Sequence, residues 1–210
     1  MPGDFSAKRG GRPGRPFLRP EGIVTYYVTS PPGSCSMGPA MLFREFQRIS
    51  PNRDLLPRHE GLGVLFHHSG LGFGETLARM LLPESKVSYH CLIDEDGARC
   101  TLVPDEHIAW HAGASNFLGR SRCNDFLLGV AFAGDTYREP LTDPQIASAL
   151  EWLDGRWESR QWSPERMTDH RQVSPDRKKD LNPREWERLR EAISVHFASR
   201  PGAEVPSPKS

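Results

Sequence analysis

The chain has 210 residues, with Lys plus Arg and Asp plus Glu balanced at 27 each. That length suits one domain of ordinary size with tails, and zero net charge removes any global pull toward nucleic acid or acidic membranes. No run approaches the ~20 apolar residues of a membrane span, and no apolar stretch of a secretory signal follows the basic start, so a cytoplasmic protein is expected.

Residues 1–20 carry Lys8, Arg9, Arg12, Arg15 and Arg19 against Asp4, amid Gly and Pro. Without an apolar run this segment is expected to be a disordered basic arm. GIVTYYVTS (22–30) is β-branched and aromatic between prolines and predicts a strand. From Pro39 to Ile49, the placing of Leu42, Phe46 and Ile49 predicts a short helix. LGVLFHHS (62–69) reads as a buried strand ending in two histidines, and GETLARMLL (74–82) as a short helix.

VSYHCLID (87–94) and ARCTLVP (98–104) predict a hairpin about Asp96-Gly97. A two-residue turn there sets Cys100 opposite Ile93 and Cys91 opposite Leu102. DFLLGVAFAG (125–134) is nearly all apolar, as a central strand covered on both faces must be. Thr142 with Gln145 makes a capping box ahead of Ile146, Leu150, Leu153 and Trp157. Asn182, Pro183 and Glu185 make a second start signal ahead of Trp186, Leu189, Ile193 and Phe197. Residues 201–210 form a Pro/Ser tail. Cys35, Cys91, Cys100 and Cys123 contain no CxxC pair and read as reduced thiols. Together these elements predict a mixed α/β fold: one domain over 21–200, with a central sheet of about five strands flanked by helices.

HRQVSPDRKKD (170–180) places a histidine and a carboxylate ten positions apart, with lysines between them. His and Asp both bind zinc, and a lysine beside a metal can steady an oxyanion. A catalytic zinc takes three protein ligands, and HHSG at 67–70 offers the third. Taken singly, His67 also reads as a hydrogen-bonded strand-end histidine, His170 as a surface residue and Asp180 as part of a helix approach.

The segments VSYHCLIDEDG, AWHAGASNFLGRSRCNDF, LGVAFAGD, LTDPQ and DHRQVSPDRKKDLNP, in that order, resemble the zinc-dependent N-acetylmuramoyl-L-alanine amidases. These are type-2 amidases, and the wording follows the AmpD-type enzymes of cell-wall recycling. The resemblance is dense over 87–145 and 165–183, weaker over 62–73, and absent over 1–60. It implies an amidase or peptidoglycan-recognition-protein-like fold with a mixed sheet, and a zinc ion held by His67, His170 and Asp180. It also implies a catalytic lysine at Lys178, two residues before the last ligand. Lys179 follows where the family usually has Thr.

Arg122 matches an arginine that contacts the substrate's peptide or carboxylate. Asn124 and Trp110 match residues that shape the substrate pocket. Alternation along a strand sends His67 and His68 to opposite faces, and the family's pattern selects His67 as ligand, leaving His68 to the substrate side. His90, His107, His111 and His196 have no ligand spacing, and His111 is placed to line the cleft.

One departure stands out. AmpD-type enzymes carry a glutamate on the central strand that helps activate the zinc water, and here that position is Ala131. Tyr89 stands where those enzymes often have a small residue, as in phage lysozyme-type amidases and catalytic peptidoglycan-recognition proteins. Zinc lowers a bound water to a pKa of about 7, so Tyr89 has a role in orienting it rather than deprotonating it. The resemblance therefore implies cleavage of the amide between N-acetylmuramic acid and L-alanine. The substrate would be soluble anhydro-muropeptides or, in a phage-type lysin, intact wall. The other reading is a non-catalytic peptidoglycan-binding protein of the same fold. No nucleic-acid partner is expected.

Overall fold

The computed structural model describes residues 43–198. The arm, the strand expected at 22–30, Cys35 and the tail lie outside them. In chain order the elements are β1 (Glu45–Gln47), β2 (Gly63–His68), α1 (Phe73–Leu81), β3 (Cys91–Ile93), β4 (Arg99–Thr101), β5 (Asn116–Phe117), β6 (Arg120–Ser121), β7 (Leu127–Phe132), α2 (Asp143–Trp157), β8 (Met167–Asp169), α3 (His170–Val173) and α4 (Pro183–Phe197). Six strands form one sheet in the order β1-β4-β3-β7-β2-β8, and β5-β6 form a separate small ribbon. The β3–β4 pair is antiparallel and the other pairs of the large sheet are parallel, so the sheet is mixed.

The apolar runs of β2 and β7 follow from this position, because the two strands pair at the centre with every β7 residue buried. Alternate side chains enter two layers. Val64, Phe66, Leu128, Val130 and Phe132 face α2 and α4, joining Trp152, Leu153, Trp186, Leu189 and Phe197. Phe197 stacks on Trp157 at 3.6 Å between ring centres, which ties α4 to α2. The opposite face holds Leu65 and Leu127 in one cluster, and Leu92, Ala131 and Met80 of α1 in another. Because His67 is in phase with Leu65, it lies on this second face, away from the two long helices.

Thr142 and Gln145 form the expected capping box at α2. At α4 the start signal is simpler than expected. Asn182 accepts from the backbone of Arg184, but Glu185 turns away and accepts from Leu141 N at 2.9 Å. That bond ties the start of α4 to the segment entering α2, a tertiary partner that outcompetes the local box.

Two further expectations are corrected. The described part of the helix expected from Pro39 to Ile49 contains strand β1 instead, paired in parallel with β4. Tertiary contacts override the local spacing: Glu45 accepts from the buried Arg99 at 3.0 Å, and Phe46 packs against the Met80–Leu92 cluster. Arg99 also reaches Glu151 of α2 at 2.9 Å, so this edge is tied to the helix layer. The hairpin register is shifted by one, with Cys91 opposite Thr101 and Leu92 opposite Cys100. Asp94 N donates to Ala98 O, leaving a three-residue loop in which Gly97 takes φ +84°. That left-handed conformation suits glycine. Cys91, Cys100 and Cys123 are buried and unbridged. Among the described residues no helix is long and apolar enough to cross a membrane.

Candidate active site

The site is assembled where β2 and β8 end side by side. Their parallel register pairs Leu65 with Thr168 and Phe66 with Asp169, so the next step on each strand brings His67 beside His170. His170 opens α3, whose cap is the fully buried Asp169, accepting from Gln172 N at 3.0 Å. The chain then loops out and returns. Arg171 N donates to Asp180 O at 2.8 Å, which pins the returning end against the start of α3.

Three donor atoms meet there. His67 Nδ1 lies 2.9 Å from His170 Nδ1 and 3.2 Å from Asp180 Oδ2, and His170 Nδ1 lies 3.1 Å from Asp180 Oδ2. Tetrahedral zinc ligands at ~2.0–2.2 Å from the ion are spaced by roughly 3.3 Å, so the triangle fits such an ion. His170 Nε2 faces Ala112 O at 3.1 Å. A carbonyl only accepts, so that nitrogen holds the proton and the Nδ1 lone pair points inward. Two inward nitrogens and a carboxylate make a donor set that suits a divalent cation, and these three residues form the candidate metal cluster found among the described residues.

The electrostatics agree. Burial opposes ionisation of Asp180, but the His170 and His67 rings against it outweigh that cost and hold the carboxyl below its ordinary range. Burial, with the neighbouring His170, pushes His67 down to about 4, so it is a neutral imidazole at ordinary pH. A neutral imidazole and an ionised carboxylate are states that bind metal.

The triangle opens into a cavity of about 310 Å³, whose wall includes Tyr89, His68, His111, Arg79 and Lys178. The Tyr89 ring stands 5.1 Å from that of His67 and packs on the cluster containing Ala131. Burial pushes its hydroxyl well above the usual phenol range, with the Asp180 charge adding to it, so it keeps its proton. His68 Nδ1 lies 2.7 Å from the Thr136 hydroxyl, and Thr136 Oγ1 accepts from Asn182 N at 2.8 Å. His68 is thus tied through Thr136 to the segment following Asp180. The Tyr137 hydroxyl adds a second tie, donating to Lys179 O at 2.9 Å.

Trp110, Arg122 and Asn124 line a different cavity, of about 230 Å³, together with Asp54 and Asp125. Trp110 Nε1 donates to Asp54 Oδ1 at 3.0 Å. Arg122 is exposed and pairs with Asp125 at 2.8 Å. The Asn124 carboxamide oxygen accepts from the backbone of both His111 and Ala112. The structure therefore divides the residues singled out from the sequence into a metal-side group and a separate group. Sequence reasoning missed β8, whose three residues carry no period, and the two ties from Thr136 and Tyr137, which only the folded loops bring about.

The N-acetylmuramoyl-L-alanine amidase family model, of the type-2 amidases, matches residues 58–184. The chain belongs to this family. One curated relative of the chain is the 1,6-anhydro-N-acetylmuramyl-L-alanine amidase AmpD of Salmonella typhimurium, 39% identical over 114 residues. That match takes in 52% of this chain and 59% of AmpD, so the chain spans a little over half the length of that relative. Among solved structures, an AmpD crystal structure superposes with a TM-score of 0.57 at 28% identity, covering 73% of this chain and 96% of that one. The Escherichia coli amidase AmiD shares the fold, with a TM-score of 0.54 at 23% identity, covering 69% of this chain and 65% of that one. It was solved in complex with its substrate anhydro-N-acetylmuramic acid-L-Ala-D-gamma-Glu-L-Lys.

Proposed function

We propose that this amidase-family chain is a zinc enzyme that hydrolyses the amide between the lactyl group of N-acetylmuramic acid and L-alanine. The observation that carries the reading is the triangle of His67, His170 and Asp180, with donor atoms 2.9–3.2 Å apart at the wall of a cavity that also holds Lys178. A zinc ion held by the three residues would supply Lewis acidity and a water made acidic enough to attack at neutral pH.

The chain's own residues do the rest. The Lys178 ammonium stabilises negative charge developing on the carbonyl oxygen. The Tyr89 hydroxyl, which keeps its proton, orients the attacking oxygen by hydrogen bonding. His68, tied to Thr136, borders the bound substrate. Arg122 takes a carboxylate of the stem peptide beside Trp110, and Asn124 holds the turn between the two cavities. Anhydro-muropeptides are the substrate class that the likeness to AmpD favours.

Ala131 supports a second reading, a peptidoglycan-binding protein without catalysis, because no carboxylate stands beside Tyr89 on β7. The test measures zinc content by mass spectrometry and peptide release from anhydro-muropeptide and from whole sacculi. The enzyme reading expects one zinc per chain, release from the soluble substrate, and loss of both in Asp180→Ala. Full activity in Asp180→Ala sinks the ligand assignment. Zinc and muropeptide binding without any release makes the protein a receptor. Faster release from sacculi moves the substrate to intact wall.

A further inference from the structure

We propose that His111 is a positioning residue for the metal site, fixing His67 as the tautomer whose bare Nδ1 faces His170 and Asp180. The consequence for metal binding rests on the zinc reading above; the hydrogen-bond geometry does not. The argument starts from a carbonyl. His111 Nε2 lies 3.1 Å from Leu127 O, and since that oxygen only accepts, the proton of His111 sits on Nε2. His111 is buried, and its ring hydrogen-bond contacts among the described residues are His67 and the Leu127 carbonyl rather than a carboxylate, so the ring is neutral and its Nδ1 can only accept. Facing that nitrogen at 3.0 Å is His67 Nε2, which must therefore be the donor. One proton per neutral ring leaves His67 Nδ1 with a lone pair, aimed at the other two donors.

His170 reaches the same state through a single bond to Ala112 O. His67 reaches it through a relay of carbonyl, imidazole and imidazole, which places its tautomer under the control of one side chain. Ligand histidines ordinarily have such a partner on the second nitrogen, and losing it weakens metal binding. Two independent features hold His111 in place. Asn124 Oδ1 accepts from the backbone N–H of His111 at 3.0 Å and of Ala112 at 2.7 Å. Gly129 of β7 leaves the ring its room: a Cβ there would lie 2.6 Å from His111 Cγ and 2.8 Å from its Nδ1. The three atoms that such a Cβ would meet first all belong to the His111 ring.

The experiment uses the full chain labelled with ¹⁵N-histidine, with and without zinc. Histidine tautomers are read from long-range ¹H–¹⁵N correlations, and the zinc Kd from competition with a chromophoric chelator. Wild type should show His67 protonated on Nε2 before any metal is added. His111→Leu, which keeps bulk but offers no acceptor, should lose that signature and bind zinc about 10- to 100-fold more weakly. His111→Asn, whose amide oxygen can stand near the former Nδ1, should recover most of the affinity. Gly129→Ala should shift both readouts in the same direction as His111→Leu, and it carries the test if His111→Leu does not fold. A folded His111→Leu or Gly129→Ala with zinc Kd within twofold of wild type and an unchanged His67 tautomer overturns the proposal. A wild type with the fixed tautomer and no zinc affinity leaves the positioning role standing and removes the zinc reading instead.

Discussion

Ala131 stands directly beside His67 in the parallel β2–β7 register, and the Tyr89 ring packs over the same cluster. The methyl group and the aromatic ring together occupy the side of the site where the AmpD-type pattern carries a carboxylate. The only polar atom this pair offers the attacking oxygen is the Tyr89 hydroxyl. Tyr89→Phe keeps the ring and removes that atom, so amide release should fall by about a hundredfold while zinc content stays at one per chain. Release within twofold of wild type would exclude the hydroxyl from the mechanism.

Lys178 and Arg122 lie in different cavities, so their losses should separate kinetically. Lys178→Met should lower kcat by roughly 10²-fold or more with little change in KM, as expected for an interaction made in the transition state. Arg122→Gln should raise KM about tenfold and leave kcat near wild type, as expected for uniform binding. If the two variants share one kinetic pattern, the assignment of substrate to both cavities fails.

Removing zinc should cost stability as well as activity. The donors of His67, His170 and Asp180 lie 2.9–3.2 Å apart, close enough to repel one another unless a cation shares them. A ligand at about 1,000 times its Kd adds about 4 kcal/mol to the folded state. At ~2–4 °C per kcal/mol for a domain of this size, chelation should lower Tm by on the order of 10 °C. An unchanged Tm on chelation would mean the triangle holds no ion.

Acid should destabilise the fold through histidines remote from the triangle. His59 accepts from Gly61 N at 3.0 Å and donates to Leu127 O at 3.1 Å, a pattern that requires a neutral ring. Burial pushes it down to about 4, and burial pushes His90, which accepts from Gly129 N, down to about 3. The unfolded chain takes up these protons near pH 6.5, so between about 6.5 and 4 it binds more protons than the folded state. Stability is full above that window and falls as pH drops through it, by up to roughly 1.4 kcal/mol per pH unit for each histidine. Tm measured from pH 7 to pH 4.5 should decline, and His59→Gln should make the decline shallower. A flat profile would contradict the buried neutral state.

Phe197 is 2% exposed and stacked on Trp157. Phe197→Ala should therefore cost about 3–5 kcal/mol, by lost burial and the cavity left behind, and chemical denaturation will measure it. A loss below ~1 kcal/mol would show that α4 contributes little to the core.

The elements legible in the sequence were those whose residues see one environment along their length. β2 and β7 read directly as apolar runs because both faces are covered, and α2 announced itself through Thr142 and Gln145. β1 and β8, three residues each, were hidden because their conformation is set by the strands beside them. The hairpin register depended on whether the loop held two residues or three, which Gly97 alone does not reveal. At the site, the spacing of His170 and Asp180 could suggest a metal, the HHSG run offered a third ligand, and the wider resemblance selected His67 over His68. The bond from His67 to His111 spans 44 positions and depends on Gly129 making room, so no local pattern carries it.

The two imidazoles of the triangle are 103 positions apart, and the carboxylate comes ten later still. On a growing chain His67 emerges long before its partners exist, and no shorter fragment can assemble the three donors. A half-made molecule therefore lacks the triangle, which closes only when the segment reaching Asp180 has docked.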